Sequence, residues 1–130
     1  MAISDRKRGA VPTILIVDDE PGLLRIFANL ANRLNCHVIL ADSGAAALDI
    51  LDNETPDLLV LDLAMPQVSG FDVLRQARTI PRLDHMKVMI LTARPNLVAD
   101  LEGLEYDCWV SKPVSAQDFV ETVSALLDET

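Results

Sequence analysis

A chain of 130 residues has the length of one domain and can bury about two thirds of the surface its unfolded form exposes, so it needs no staple to fold. Half of its residues are apolar and 24% are charged, which is ordinary soluble usage, and no apolar run approaches the ~20 residues that span a bilayer. The net charge of −9 argues against nucleic-acid binding, which needs a basic face toward the phosphates, and the run Arg6-Lys7-Arg8 is too short to reverse it.

The start, MAISDRKRGAVP, has a few basic residues but no apolar segment with a small-residue cleavage site behind it, so no secretory signal is seen. Residues 1–12 read as a flexible tail and 13–130 as the domain. Cys36 and Cys108 lie far apart in a chain without a signal, which suits small buried hydrophobes in a reducing cytoplasm better than a disulfide.

The hydrophobic period then alternates. ILIV (14–17) is a short apolar run of the kind that suits a strand buried on both faces, and it ends on three consecutive acids, Asp18, Asp19 and Glu20. Adjacent carboxylates repel, so if they converge on a pocket the outcome is a raised pKa or a bound cation. Behind Pro21, Leu23, Phe27, Leu30, Ala31 and Leu34 form one helical stripe. HVIL (37–40) is the second strand; Ser43 is a candidate N-cap before Ala47, Leu48 and Leu51. LLVL (58–61) runs into Asp62, and Phe71, Leu74 and Ala77 follow Gly70. VMIL (88–91) runs into Thr92, with Leu97, Leu101 and Leu104 after Pro95. CWV (108–110) runs into Ser111 and Lys112, and the last helix starts at Ser115 and Asp118, in capping-box spacing before Phe119, Val120, Val123, Leu126 and Leu127.

Five strand-then-helix repeats with right-handed crossovers predict an α/β fold, a doubly wound five-stranded parallel sheet with five helices, too small for an eight-fold barrel. Ligands of such sheets sit beyond the carboxyl ends of the strands. That rim collects Asp18, Asp19, Asp62, Thr92, Ser111 and Lys112. Each alone reads as an ordinary strand-end residue, but three carboxylates, a hydroxyl and an ammonium at one rim are hard to explain as surface decoration.

The segments ILIVDDEPG, LLVLDLAMPQVSGFDVL, VMILTARP and WVSKPVSAQDF, in that order, resemble the receiver domain of two-component response regulators from about Thr13 onward. The resemblance implies a CheY-like, flavodoxin-like sheet with strand order 2-1-3-4-5. Asp62 would accept a phosphoryl group from a phosphohistidine on a sensor histidine kinase or phosphotransfer protein. Asp18, Asp19, Asp62 and the backbone carbonyl of Ala64 would hold Mg²⁺, Lys112 would balance phosphoryl charge, and Thr92 would read the product. Trp109 would be the aromatic switch that signals to a downstream effector domain or protein, and Lys112-Pro113 would be cis. Catalysis would be confined to the domain's own phosphorylation and dephosphorylation.

Outside that context Trp109 reads as sheet-face core, Thr92 as a strand end and Lys112 as a surface charge; Met86 and Met89 read as packing, and neither His37 nor His85 is given a catalytic role. Ala64 and Arg94, each two residues beyond a site residue, are positioned to tune the phosphoryl lifetime. The stretch from Thr92 to Lys112 is about two residues shorter than usual in such domains, and Glu105-Tyr106 stands where relatives often carry Gly-Ala, so the fourth helix is expected to be short or displaced. A phosphohydrolase would want an Asp-x-Asp pair and a cap insertion, and a nucleotide-binding fold would want a glycine-rich loop after the first strand; neither is present. A receiver that never accepts phosphate and serves only for docking is the remaining alternative.

Overall fold

A computed structural model describes residues 10–129; the tail expected at 1–12 falls mostly outside them. Five strands, β1 (Thr13–Val17), β2 (His37–Ala41), β3 (Leu58–Asp62), β4 (Lys87–Thr92) and β5 (Cys108–Ser111), form one parallel sheet in the order β2-β1-β3-β4-β5. Four α-helices connect and close it: α1 (Pro21–Asn32), α2 (Gly44–Asn53), α3 (Gly70–Ala77) and α4 (Ala116–Asp128). The fifth helical connection, Pro95–Leu101 between β4 and β5, is wound as a 3₁₀-helix, which answers the expectation of a short or displaced helix there.

Strand alternation sends residues to opposite faces. Leu15, Val17, Leu59, Leu61, Val88 and Ile90 meet α2, α3 and Leu101 on one side. Ile14, Ile16, Leu58, Val60, Met89 and Leu91 meet α1 and α4 on the other, where the rings of Phe27 and Phe119 stack at 4.7 Å and 18°, worth ~1 kcal/mol beyond area burial. The central strands are therefore buried on both faces, as the apolar runs predict. The outer strands are not. Leu40 on β2 is 42% exposed and Trp109 on β5 is 43% exposed, because an open sheet has two edges that its helices cover only in part. On α1 the buried stripe includes Leu24, while Leu23, and Leu34 in the turn beyond the helix, are only partly covered.

Local chemistry fixes the helix starts. Ser43 Oγ accepts from the Ala46 amide at 3.1 Å, and Ser115 Oγ from the Asp118 amide at 3.0 Å. A full capping box forms at Ser69 and Asp72 instead of at Ser115, with each residue's side chain accepting from the other's amide. Two arginines tie the far end of the sheet together. Arg82 donates to the carbonyls of Leu51 and Glu54, both at 2.6 Å, where α2 ends and its dipole favours a cation. Arg78 donates to the carbonyls of Leu83, Met86 and Glu105.

Gly70 positions the site. A Cβ there would collide with the carbonyl of Asp62 and with Leu63 Cα, and the Gly70 amide donates to Leu63 O at 3.1 Å. Because the obstruction is backbone, Gly70→Ala should cost about 2 kcal/mol or more by overpacking. Urea unfolding of the variant checks this, and an unchanged midpoint would contradict it.

Candidate functional site

The carboxyl ends of β1, β3, β4 and β5 bring the predicted polar residues together. Asp18, Asp62 and Thr92 are buried, with Asp18 at 1% and Asp62 at 4% exposure, whereas Asp19 faces solvent. Carboxylate oxygens of Asp18, Asp19 and Asp62 all lie within 4.8 Å of one another. Lys112 reaches across from the end of β5, its Nζ 2.7 Å from Asp18 Oδ2 and 3.5 Å from Asp62 Oδ2.

Backbone amides orient both buried acids. The Glu20 amide donates to Asp18 Oδ1 at 2.9 Å, so Glu20 serves the site through its main chain as the chain turns into α1. The Ala64 amide donates to Asp62 Oδ1 at 3.2 Å. The register of β4 and β5 is carried to the rim by the Lys112 amide on Thr92 O at 2.8 Å, and Lys112-Pro113 is cis.

The electrostatics follow from this crowding. The Asp62 carboxyl is pushed up to about 6: burial raises it most, the charges of Asp18 and Asp19 add to this, and Lys112 and the Ala64 amide pull against them. For Lys112 burial favours the neutral amine, yet the hydrogen bond to Asp18 and the charges of Asp62 and Asp18 outweigh it and hold the ammonium above its usual range. Three close carboxylates with one ammonium leave a local excess of negative charge. Such a hard-oxygen set suits Mg²⁺, which takes one or two carboxylates and keeps waters in its remaining positions.

Thr92 and Trp109 sit differently from the acids. The Thr92 hydroxyl accepts from the Arg94 amide at 2.9 Å and donates to the Arg94 carbonyl at 3.2 Å. Trp109 pairs with Ile90 in the sheet but leaves much of its indole in solvent, so it is not sheet-face core. Ala64 and Arg94 are both exposed at the rim. Met86 and Met89 are buried in packing, and His37 and His85 are exposed away from the acids.

A scan against protein-family models matches residues 14–124 to the response regulator receiver domain. The chain belongs to the response regulator receiver family. Its place in biology is therefore two-component signal transduction. Over 119 residues this receiver is 33% identical to the response regulator MprA of Mycobacterium sp. strain KMS, covering 90% of the chain and 51% of the relative. It thus spans about half the length of the MprA proteins it matches. Over 120 residues it is 29% identical to the polar-differentiation response regulator DivK of Brucella ovis, covering 90% of the chain and 97% of DivK. In three dimensions it superposes on a CheY-like receiver domain protein from Methanospirillum hungatei JF-1 with a TM-score of 0.81 at 27% identity, covering 92% of this chain and 95% of that one. The receiver's acidic pocket is the kind in which this family uses Mg²⁺. No helix among the described residues is long and apolar enough to cross a membrane.

Two contributors escape a sequence reading. Gly70 looks like a simple helix start, and its closeness to the Asp62 backbone is visible only in three dimensions. The Glu20 amide has no side-chain signature, although the turn from a strand into Pro21 hints at one.

Proposed function

We propose that the domain formed by residues 13–130 is a phosphoacceptor switch in which Asp62 takes a phosphoryl group from a phosphohistidine on a sensor histidine kinase or phosphotransfer protein. The observation that carries this is the convergence of three carboxylates within 4.8 Å, two of them, Asp18 and Asp62, bridged by Lys112. Asp18, Asp19 and Asp62, with the backbone carbonyl of Ala64, would hold Mg²⁺, which when bound neutralises charge on the phosphoryl oxygens.

The chain's own residues supply alignment. An Asp62 carboxylate oxygen attacks phosphorus as the bond to the donor imidazole breaks, and that bond's electron pair returns to the ring nitrogen. Phosphoryl transfer asks mainly for positioning and charge balance. The Ala64 amide orients Asp62 through its other oxygen, and the Lys112 ammonium lies close enough to meet the incoming negative charge. Deprotonated Asp62 is needed for attack, and a carboxyl at about 6 is largely ionised at pH 7.

Thr92 would then bond a phosphoryl oxygen, and Trp109 would move inward toward the space this opens, changing the β4 and β5 surface offered to an effector. The switch is a population shift between two arrangements, not a new fold. Reduction of the acyl phosphate with borohydride followed by peptide mapping tests the assignment: the modification should sit on Asp62 alone, and label on another residue would refute it. Trp109 is the single tryptophan, so its emission should shift to the blue on addition of acetyl phosphate and Mg²⁺ in wild type and stay fixed in Asp62→Asn. An unmoved spectrum in modified wild type would remove Trp109 from the switch.

A further inference from the structure

The segment after Thr92 is wound in an unusual way. Runs of 3₁₀-helix longer than three or four residues are uncommon, because the hydrogen-bond geometry is poorer than in an α-helix, and a longer run often marks a hinge. Pro95–Leu101 runs for 7 residues, and of these only Leu101 is fully buried. Its boundary residues are those of an α-helix. Pro95 stands at the first helical position, and Gly103, at φ +87°, has the left-handed conformation favoured just past a helical C-terminus. Sequence and winding therefore disagree over this one element.

The start of the segment explains the disagreement. Arg94, its N-cap, has φ −126° and ψ 81° and no side-chain cap. Its amide and its carbonyl are both held by the Thr92 hydroxyl. The same carbonyl accepts from the Leu97 amide at 2.9 Å, the i to i+3 bond that begins the tighter winding. In an α-helix that carbonyl would take the Val98 amide. Further along, the Glu102 amide reaches Ala99 O at a long 3.4 Å, so the 3₁₀ ladder is weakest toward its end.

We infer that Thr92 latches Pro95–Leu101 in a 3₁₀ winding, and that loss of its hydrogen bond to the Arg94 carbonyl lets the segment rewind as an α-helix. The trigger, though not the latch, rests on the phosphoacceptor reading. A threonine hydroxyl has one hydrogen. It is given to the Arg94 carbonyl in this structure, so a phosphoryl oxygen at Asp62 can receive it only if that carbonyl lets it go.

The consequence is large for so small a change. Winding of 3.0 residues per turn advances about 120° and 2.0 Å per residue, against about 100° and 1.5 Å for 3.6 residues per turn. Over this stretch the rewinding shortens the element by about 3 Å and turns Pro95 by about 120°, and Asn96 to Val98 by about 100° to 60°, relative to buried Leu101. Exposed Asn96 and half-buried Leu97 and Val98 would be re-aimed relative to the sheet, giving the domain two distinct surfaces from one hydroxyl.

The test is NMR of residues 95–103, reading ¹³Cα and carbonyl shifts and amide exchange, with intact mass measured on the same samples. Thr92→Val removes the hydroxyl at nearly constant shape and should, without phosphate, move these shifts to the α-helical pattern and slow exchange of the Val98 to Glu102 amides several-fold. Thr92→Ser, which keeps the hydroxyl, should retain the wild-type pattern. Wild type treated with acetyl phosphate and Mg²⁺ should show the same shifts as Thr92→Val once the mass shows the adduct. A Thr92→Val spectrum like that of wild type overturns the latch. An adduct that leaves 95–103 unmoved overturns the inference while the phosphoacceptor reading stands. Movement in Thr92→Val with no adduct on wild type keeps the latch and overturns that reading.

Discussion

Lys112→Ala should damage both the stability of the domain and its phosphoryl uptake. It leaves Asp18 and Asp62, both buried, facing each other without the ammonium that now lies 2.7 Å and 3.5 Å from their oxygens. Removing one member of a buried charged set costs on the order of 3 kcal/mol, since the charge left behind loses water and partner together. The raised pKa of Lys112 means that the ammonium contributes fully at pH 7 and is lost only as the pH climbs past its folded-state value. Phosphoryl uptake should fall at least about a hundredfold, the scale for removing one preorganised charge-stabilising group. Chemical denaturation at pH 7 with Mg²⁺ chelated, and the rate of mass gain from acetyl phosphate, check the two halves. A variant as stable and as fast as wild type would remove Lys112 from the site.

Asp62→Asn should do the opposite to stability. The Asp62 carboxyl is raised to about 6 in the folded state, against ~3.9 in an unfolded chain, so between those values the folded state binds the extra proton. Stability from this group is therefore present at low pH and is lost as the pH rises through about 4 to 6. By pH 7 the loss is on the order of 2–3 kcal/mol, at 1.36 kcal/mol per unit. The isosteric amide removes that term, so without Mg²⁺ the variant should be more stable than wild type at pH 7 by ~2 kcal/mol, and the two should converge toward pH 4. Asp72 is held below the usual carboxylate range by its Ser69 bonds, and its titration has the opposite sign and lies at lower pH. Urea unfolding of both proteins from pH 4 to 7 checks this. A parallel pair of curves would show that Asp62 carries no repulsion worth relieving. The pairing of lost phosphorylation with gained stability is what a site that strains its fold for function predicts.

The alternation of ILIV, LLVL and VMIL with helical stripes makes the sheet and its central strands legible, because residues buried on both faces leave a continuous apolar signature. HVIL and CWV have the same signature yet lie at the edges. Neighbours in the sheet are set by topology and not by the local run, so periodicity cannot separate an edge from a centre. In α1 the pair Leu23-Leu24 offers two phases for one stripe, and packing against the sheet selects Leu24. The capping box at Ser69 and Asp72 was open to the same spacing rule that points to Ser115 and Asp118, since both have an acid three residues after a serine. Arg78 and Arg82 are different. Most of their carbonyl partners lie 27 to 31 residues away, and no local pattern announces them.

At the rim, the identities of Asp18, Asp19, Asp62, Thr92 and Lys112 follow from where each strand ends. What the strand ends leave open is the pairing: Lys112 sits on Asp18 more closely than on Asp62, and the Thr92 hydroxyl is engaged with Arg94. On the phosphoacceptor reading, the Thr92 hydroxyl would have to leave the Arg94 carbonyl before it could bond a phosphoryl oxygen.

The central claim is that Asp62 is a working phosphoacceptor that needs a divalent cation. Its most direct test is the intact mass of wild type and Asp62→Asn after incubation with acetyl phosphate, with and without Mg²⁺. One added phosphoryl group in wild type with Mg²⁺, and none in the other three samples, is the predicted result. No addition to wild type under conditions that modify an established receiver would contradict it and point to a domain that docks without phosphate.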